Sequence, residues 1–364
     1  LQEEQSMSAE ILREIRINPI IPAESVLIAT ERSNRPVKKS AVSLRDRSEL
    51  VADCQFCRGN EHLTPAEIMR LPEDKEWQIR VVKNLYPVFG DEHSLPDLNM
   101  GIHLIIDGYG QHEVIIDHAN HGVEVCNMAI SHLSSLFGVY RDRMKQLYAV
   151  SEGHKYVLVF KNFGPASGGS IAHTHSQIIA MPVIPANVEM EMASSLTHYR
   201  KRRECIFCTL LDETLTYATT VYDRMAGPLK RKIEIGRYIV DQGESFVAIK
   251  PFASRFPWEI HILPRNHSHD YRTITDDECF DLAGVLNRVM LRLQAVIGEV
   301  QYNYFLHSAP ARTSSPEYQA SFHWHLEICP RTSIPNGFEL GSGLAINIVS
   351  PERAAERLAE IQLS

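Results

Sequence analysis

Two histidines one residue apart, His173 and His175, are followed at the same spacing by Gln177, and a glycine-rich stretch, residues 162–170, leads into them. The apolar run Ile178, Ile179, Ala180 and Met181 that follows reads as a buried strand. Alternate side chains of a strand share a face, so the three polar heads should project together while Thr174 and Ser176 point away. A neutral imidazole can attack phosphorus, and backbone N–H groups of a turn such as Gly168, Gly169 and Ser170 can converge on an anion. This pattern predicts phosphoryl-transfer chemistry; the competing reading is a polar strand face behind a plain turn.

Four of the seven cysteines form two Cys-x-x-Cys pairs, Cys54/Cys57 and Cys205/Cys208, and each pair is followed by a His-x-His. The intervals nearly match: 119 positions from Cys54 to His173, 118 from Cys205 to His323. Between them, Glu113 precedes His121 by eight positions and Glu259 precedes His267 by eight. Thiolates and imidazoles suit tetrahedral zinc, and a redox Cys-x-x-Cys would open a helix in a βαβ pattern that is not evident here. The repeat selects the ligands: Cys54, Cys57, His121 and His173 in one site, Cys205, Cys208, His267 and His323 in the other. Both are expected to be closed and structural. Buried free cysteines beside unrelated histidines are the alternative.

The elements that must position these groups also recur. Met128, Leu133, Leu136, Tyr140, Met144 and Leu147 fall at roughly helical spacing. In the second half Thr275 to Glu278 form a capping box ahead of an apolar face of Leu282, Val285, Leu286, Val289, Leu293 and Val296. Each helix is followed by a strand pattern, residues 156–160 and 302–306, and then by the His-x-His strand. The chain therefore reads as an α+β unit used twice, with domains at 1–198 and 199–364 and a solvated connector near Lys201, Arg202 and Arg203.

At 364 residues the chain can form two cores, and its 44% apolar and 23% charged content is that of a soluble protein. No apolar run reaches transmembrane length, no leader pattern is present, and the cysteine count is odd, so a cytoplasmic location without disulfides is expected. Residues 1–6 are polar and unpatterned, and Met7 is the expected natural start. A net charge of −8 provides no basic footprint for nucleic acid.

The sequence resembles the galactose-1-phosphate uridylyltransferase family of the histidine-triad superfamily, including its ADP-glucose phosphorylase-like branch. The resemblance runs through residues 29–36, 54–60 and 82–87, His173-Thr174-His175-Ser176-Gln177, residues 251–257 and residues 337–343. It implies two tandem histidine-triad-like units, each an antiparallel sheet with a long helix and a zinc knuckle. It further implies His175 as the nucleophile that takes up a nucleoside monophosphate, and Gln177 as a hydrogen-bond donor to the transferred group. Arg32, Arg35, Asn84, Asn162 and Ser170 match positions lining the family's nucleotide and phosphate pocket. Two zinc ions per chain, a nucleotide sugar and a sugar phosphate as substrates, and a homodimer are the expected cofactor and partners. Thr174 stands where family transferases often carry proline. The Gly341 to Asn347 segment is closer to the shorter subgroup than to uridylyltransferases with a Glu/Gln-rich motif.

The second His-x-His carries Glu327 where the first has Gln177. An amide can donate to a phosphoryl oxygen, whereas a carboxylate repels it, so transfer is assigned to His175 and not His325. His325 and Glu327 are expected to form a polar pair or, with His307, a further metal site. A glutamine is also a poor acid, which favours transfer over hydrolysis. UDP-hexose with hexose 1-phosphate is the first expectation. ADP-glucose with phosphate, a nucleotide hydrolase and a non-catalytic zinc-stabilised binding module are the alternatives.

Overall fold

A computed structural model describes residues 13–34, 47–216, 219–223, 227–233, 238–310 and 315–363. Its centre is a ten-stranded sheet. In chain order the strands are β1 (Glu67–Leu71), β2 (Ile79–Lys83), β3 (Gln111–Ile116), β4 (Tyr156–Phe163) and β5 (His175–Met181). They continue as β6 (Ile239–Gln242), β7 (Phe246–Ile249), β8 (Ile260–Pro264), β9 (Tyr302–His307) and β10 (His325–Pro330). Across the sheet the order is β6-β7-β8-β10-β9-β4-β5-β3-β2-β1, and every pairing is antiparallel. Read inward from either edge, strand n of the first five stands where strand n + 5 stands among the second five. β4 and β9 meet at the middle, with Tyr302 opposite Phe163 and Leu306 opposite Val159.

Two long helices cover one face. α1 (Ile130–Val150) buries Leu133, Leu136, Tyr140, Met144 and Leu147, and α4 (Asp276–Ile297) buries Leu282, Val285, Leu286, Val289 and Leu293. Both apolar stripes join one core with Ile178, Ala180, Ile260 and Ile328 of the sheet. Thr275 accepts from the Glu278 N–H and Glu278 reaches back, the reciprocal cap that fixes where α4 starts; such a cap is worth about 1 kcal/mol. Ile179 and Met181 of β5 pack on the opposite face against Val188 and Met192 of α2 (Ala186–Arg202). Burial on both faces explains why this strand is uninterruptedly apolar past Gln177.

Two local expectations differ from what is observed. β5 begins at His175, so His173 lies in the segment before it, where it is free to turn toward the cysteines. The expected connector around residues 201–203 is the end of α2, closed by Arg203 at φ 61° with its N–H on the Tyr199 carbonyl, directly before α3 (Ile206–Thr216). No helix of the described residues is long and apolar enough to cross a membrane.

Candidate active site and metal centres

His175 is 8% exposed at the start of β5. Its Nδ1–H donates to the His173 carbonyl at 2.8 Å, which leaves Nε2 with its lone pair. Burial, and then the nearby Lys161 ammonium, hold the imidazole below its ordinary pKa and so in the neutral form. The Phe56 ring stands 5.2 Å away, edge to face. Thr174 and Ser176 turn the other way, toward α1. There Lys161, fully buried, donates to Asp117 at 2.5 Å, to Thr174 Oγ1 at 2.8 Å and to the His175 carbonyl at 2.9 Å. Ser176 donates to the same Asp117 oxygen at 3.0 Å, and the hydroxyls of Tyr140 and Ser176 lie 2.5 Å apart. The polypeptide carrying His175 is thus bonded from behind through main chain and side chains alike.

Gln177 shares the His175 face. Its Oε1 lies 2.8 Å from Nε2 of His112 on β3. Nδ1 of His112 accepts from the Val88 N–H at 3.3 Å, so Nε2 carries the proton and donates to Gln177. That bond fixes the amide with its NH₂ outward. The Asn84 amide lies 3.0 Å from the same His112 nitrogen, and its main-chain N–H bonds the His112 carbonyl. His112, Lys161 and Asp117 were not among the residues singled out in the sequence; the histidine one strand away, two positions past Gly110, was the available signal for the first.

The remaining expected residues are placed as follows. Asn162 accepts from Asn303 at 2.7 Å across the β4–β9 seam. Gly168 has φ 83°, and a Cβ on Gly169 would come within 2.8 Å of the Asn162 carbonyl, so both glycines are required by the turn. Their N–H groups donate to the Pro165 and Gly164 carbonyls. The expected three-amide cradle is therefore reduced: Gly168 and Gly169 shape the loop, and Ser170 is exposed beyond it. Arg32 is exposed in the 3-10 turn Thr30–Asn34, and Arg35 lies outside the described residues.

The eight predicted metal ligands converge into two groups. Nδ1 of His173 is 3.6 Å from both Cys54 and Cys57, and Nδ1 of His121 is 3.6 Å from Cys57. In the second group Cys208 lies 3.5 Å from Nδ1 of His267 and 3.6 Å from Nδ1 of His323. A tetrahedral ion with bonds of about 2.3 Å to sulfur and about 2.0 Å to nitrogen requires about 3.5 Å between them, so both groups fit one. The far nitrogens are already committed, His173 to the His118 carbonyl at 2.7 Å, His323 to Pro264 at 3.0 Å and His267 to Gln319 at 2.9 Å. Each Nδ1 is thereby left as a lone pair aimed at sulfur, the orientation a metal needs. A hydrogen bond from Cys205 holds the Cys208 thiol well below its ordinary range against the opposing effect of burial.

Register corrects one equivalence drawn from spacing. Val114 pairs with Gln177 and His261 with Glu327; Glu259 therefore matches His112, not Glu113. The carbonyls of His118 and Pro264 play the same part toward the two metal groups. One extra residue must sit between strand and ligand in the first half, and it is at Asp117. On β4 and β9, Phe160 and Phe305 sit opposite Gln177 and Glu327, so Lys161 matches Leu306. The buried Lys161–Asp117 pair has no counterpart.

In the second half His325 also donates Nδ1–H to the carbonyl two residues back, His323, at 3.1 Å. Its Nε2, however, faces Glu327 at 3.4 Å and Glu191 at 3.8 Å. Burial opposes charge on His307, but Glu191 at 3.0 Å overcomes it and pushes the imidazole up to about 9. Arg255 binds Glu327 at 2.5 Å and Glu259 at 3.1 Å. Glu191, His307, His325 and Glu327 are close enough together to hold an ion.

Comparison with known proteins agrees with this arrangement. A family described as a domain of unknown function (DUF4931), N-terminal domain, matches residues 34–184. ADP-glucose phosphorylase of Arabidopsis thaliana is 28% identical, the match covering 96% of this chain and 93% of that protein. Galactose-1-phosphate uridylyltransferase of Thermotoga maritima is 25% identical, with 97% and 99% covered. A crystal structure of the A. thaliana ADP-glucose phosphorylase with bound ADP-glucose superposes with a TM-score of 0.80 at 26% identity, covering 97% of this chain and all of that one. Along nearly its whole length, the chain is a relative of the galactose-1-phosphate uridylyltransferases and of ADP-glucose phosphorylase.

Proposed function

We propose that the protein is a nucleotidyltransferase that carries a nucleoside monophosphate from a nucleotide sugar to a phosphate-bearing acceptor on His175. The observation that carries this is the His175 tautomer: Nδ1–H is spent on the His173 carbonyl, and Nε2 is neutral and unprotonated beside the Gln177 amide. The Nε2 lone pair attacks the α-phosphorus. The bond to the sugar 1-phosphate breaks, and that group leaves with the electron pair as a phosphate, needing no strong acid. In the second half-reaction an acceptor phosphate oxygen attacks the same phosphorus, and the P–N electron pair returns to Nε2. The outward NH₂ of Gln177 donates to a non-bridging oxygen as charge builds there. Lys161 and Asp117 hold the main chain beneath.

The two Cys₂His₂ groups would each hold zinc, supplying fixed geometry and no reaction step. His173 belongs to one of them and is two residues from the nucleophile, so the ion would position His175. The mirrored strand order supports two tandem histidine-triad-like units with zinc knuckles, at 1–198 and 199–364. An exposed apolar hairpin, with Leu98, Met100, Ile102 and Leu104 all outward, supports a homodimer.

A second reading concerns the substrate. UDP-hexose with hexose 1-phosphate is the first expectation from sequence, whereas the 28% identity and 0.80 TM-score favour ADP-glucose with inorganic phosphate. Incubation with α-³²P-labelled UDP-glucose or ADP-glucose separates them. Base-stable, acid-labile label should appear on His175 from one donor and vanish in His175→Ala. Label that survives this substitution overturns the assignment.

A further inference from the structure

Three residues of the second half hold the turn that leads into β5 of the first. Gln301 Oε1 accepts from the Ala166 N–H at 2.6 Å. The Asn303 amide, 7% exposed, donates to the Ser167 carbonyl at 2.9 Å and to Asn162 Oδ1 at 2.7 Å. Arg331, the residue after β10, donates Nε–H to Asn303 Oδ1. Its guanidinium lies 4.8 Å over the Phe256 ring, and its main-chain N–H bonds the Gln301 carbonyl at 2.7 Å.

These contacts leave the amides one arrangement. A guanidinium can only donate and a main-chain carbonyl can only accept, so Asn303 must turn Oδ1 to Arg331 and NH₂ to Ser167 and Asn162. Asn162 must then turn its own Oδ1 to the seam. Its NH₂ faces the other way and donates to none of the described residues. Phe160 pairs with Gln177, so Asn162, two residues on, stands beside His175 on the same face of the sheet. That face therefore carries two amides fixed from opposite sides: Gln177 by His112 on β3, and Asn162 by Asn303 on β9 with Arg331 behind it.

We propose that Asn303 and Arg331 are positioning residues for nucleotidyl transfer, turning the Asn162 NH₂ toward the phosphoryl group carried on His175. This rests on the transfer reading above and gives the second half a part in the reaction. A donor held in place beforehand needs no reorientation as charge builds on phosphorus.

The test is a double-mutant cycle on the rate of His175 labelling by rapid quench, with whichever of the two labelled nucleotide sugars reacts. Asn162→Ala should slow labelling about 10²-fold. Asn303→Asp keeps the shape and the Arg331 bond but can only accept, so Asn162 turns its NH₂ to the seam, and the loss should again be about 10²-fold. The two together should cost no more than Asn162→Ala alone. Arg331→Met should cost less, about threefold, because Ser167 still holds Asn303, and Arg331→Lys should restore the rate. On the unaltered protein with ¹⁵N-labelled asparagine, the Asn303 NH₂ should resist exchange into D₂O while that of Asn162 exchanges within minutes. Losses that multiply in the double variant, full activity in Asn303→Asp, or a freely exchanging Asn303 amide would each overturn the proposal. If no label forms on the unaltered protein, the transfer reading fails, and the exchange pattern still decides how the amides are held.

Discussion

The two His-x-His segments share a tether and differ in what surrounds the outer histidine. Both bond Nδ1–H to the carbonyl two residues back, and both follow a histidine aimed at a Cys-x-x-Cys pair. Beyond that they diverge. His175 has a neutral amide beside it and an ammonium beneath it; His325 has two carboxylates within 4 Å and an apolar Leu306 where the ammonium would be. One scaffold therefore carries two different surroundings for the outer histidine, set by a handful of positions beside the Cys/His groups. Since the second half is built without the Lys161–Asp117 pair, the fold does not require it, and its presence under His175 points to the site.

Removing the tether should have the largest effect. Cys54→Ser should lower bound zinc from two to one per chain by atomic emission and abolish His175 labelling, because structural zinc contributes on the order of 10 kcal/mol to folding. Cys205→Ser should remove the other ion. If labelling were lost equally in both at equal stability, the distinction between the halves would fail. Next comes the ammonium. Lys161→Met leaves Asp117 buried and unpaired, which should cost about 3–5 kcal/mol in denaturant unfolding. Lys161→Met with Asp117→Asn should recover much of that stability, while kcat stays below that of the unaltered protein because the bond from Lys161 to the His175 carbonyl is still missing.

Gln177→Glu imposes the second half's residue on the first and should slow nucleotidyl transfer about 10²-fold by rapid-quench kinetics. Unchanged rates would mean that the amide makes no contact with phosphate. The smallest effects near neutrality are those of pH. With His175 held below its ordinary pKa, transfer should persist below pH 6.5 and fail only on further acidification. His307 is shifted the other way, so its pairing with Glu191 stabilises fully below about pH 6.5 and is lost as pH rises through about 9. Melting temperature against pH should show that alkaline loss, and His307→Gln should remove it.

Much of this was legible because metal ligands and caps are local or recur at fixed intervals. The convergence of two cysteines and two histidines in each half, the cap at Thr275 and Glu278, and the turn of Thr174 and Ser176 away from His175 all follow from residue type and spacing. What spacing concealed was a compensated insertion: Glu113 and Glu259 each stand eight residues before a ligand, yet hydrogen-bond register sets Glu259 against His112. Lys161 lies one residue past the strand pattern 156–160, and only the fold brings Asp117, 44 positions away, to meet it. The glycines invited an anion, whereas two of their amides are consumed by the turn. A cavity of about 580 Å³ beside His325 and Glu327 could not be foreseen, since its lining is drawn from segments as distant as residues 14 and 352.

The seam between β4 and β9 carries an implication for how this chain tolerates cutting. Each is among the longer strands of the sheet and each is satisfied only by the other along that side. Severed between α2 and α3, either fragment would present a bare row of amides and carbonyls, a template that recruits a neighbour. Two such pieces made together would find each other, and one made alone would find copies of itself.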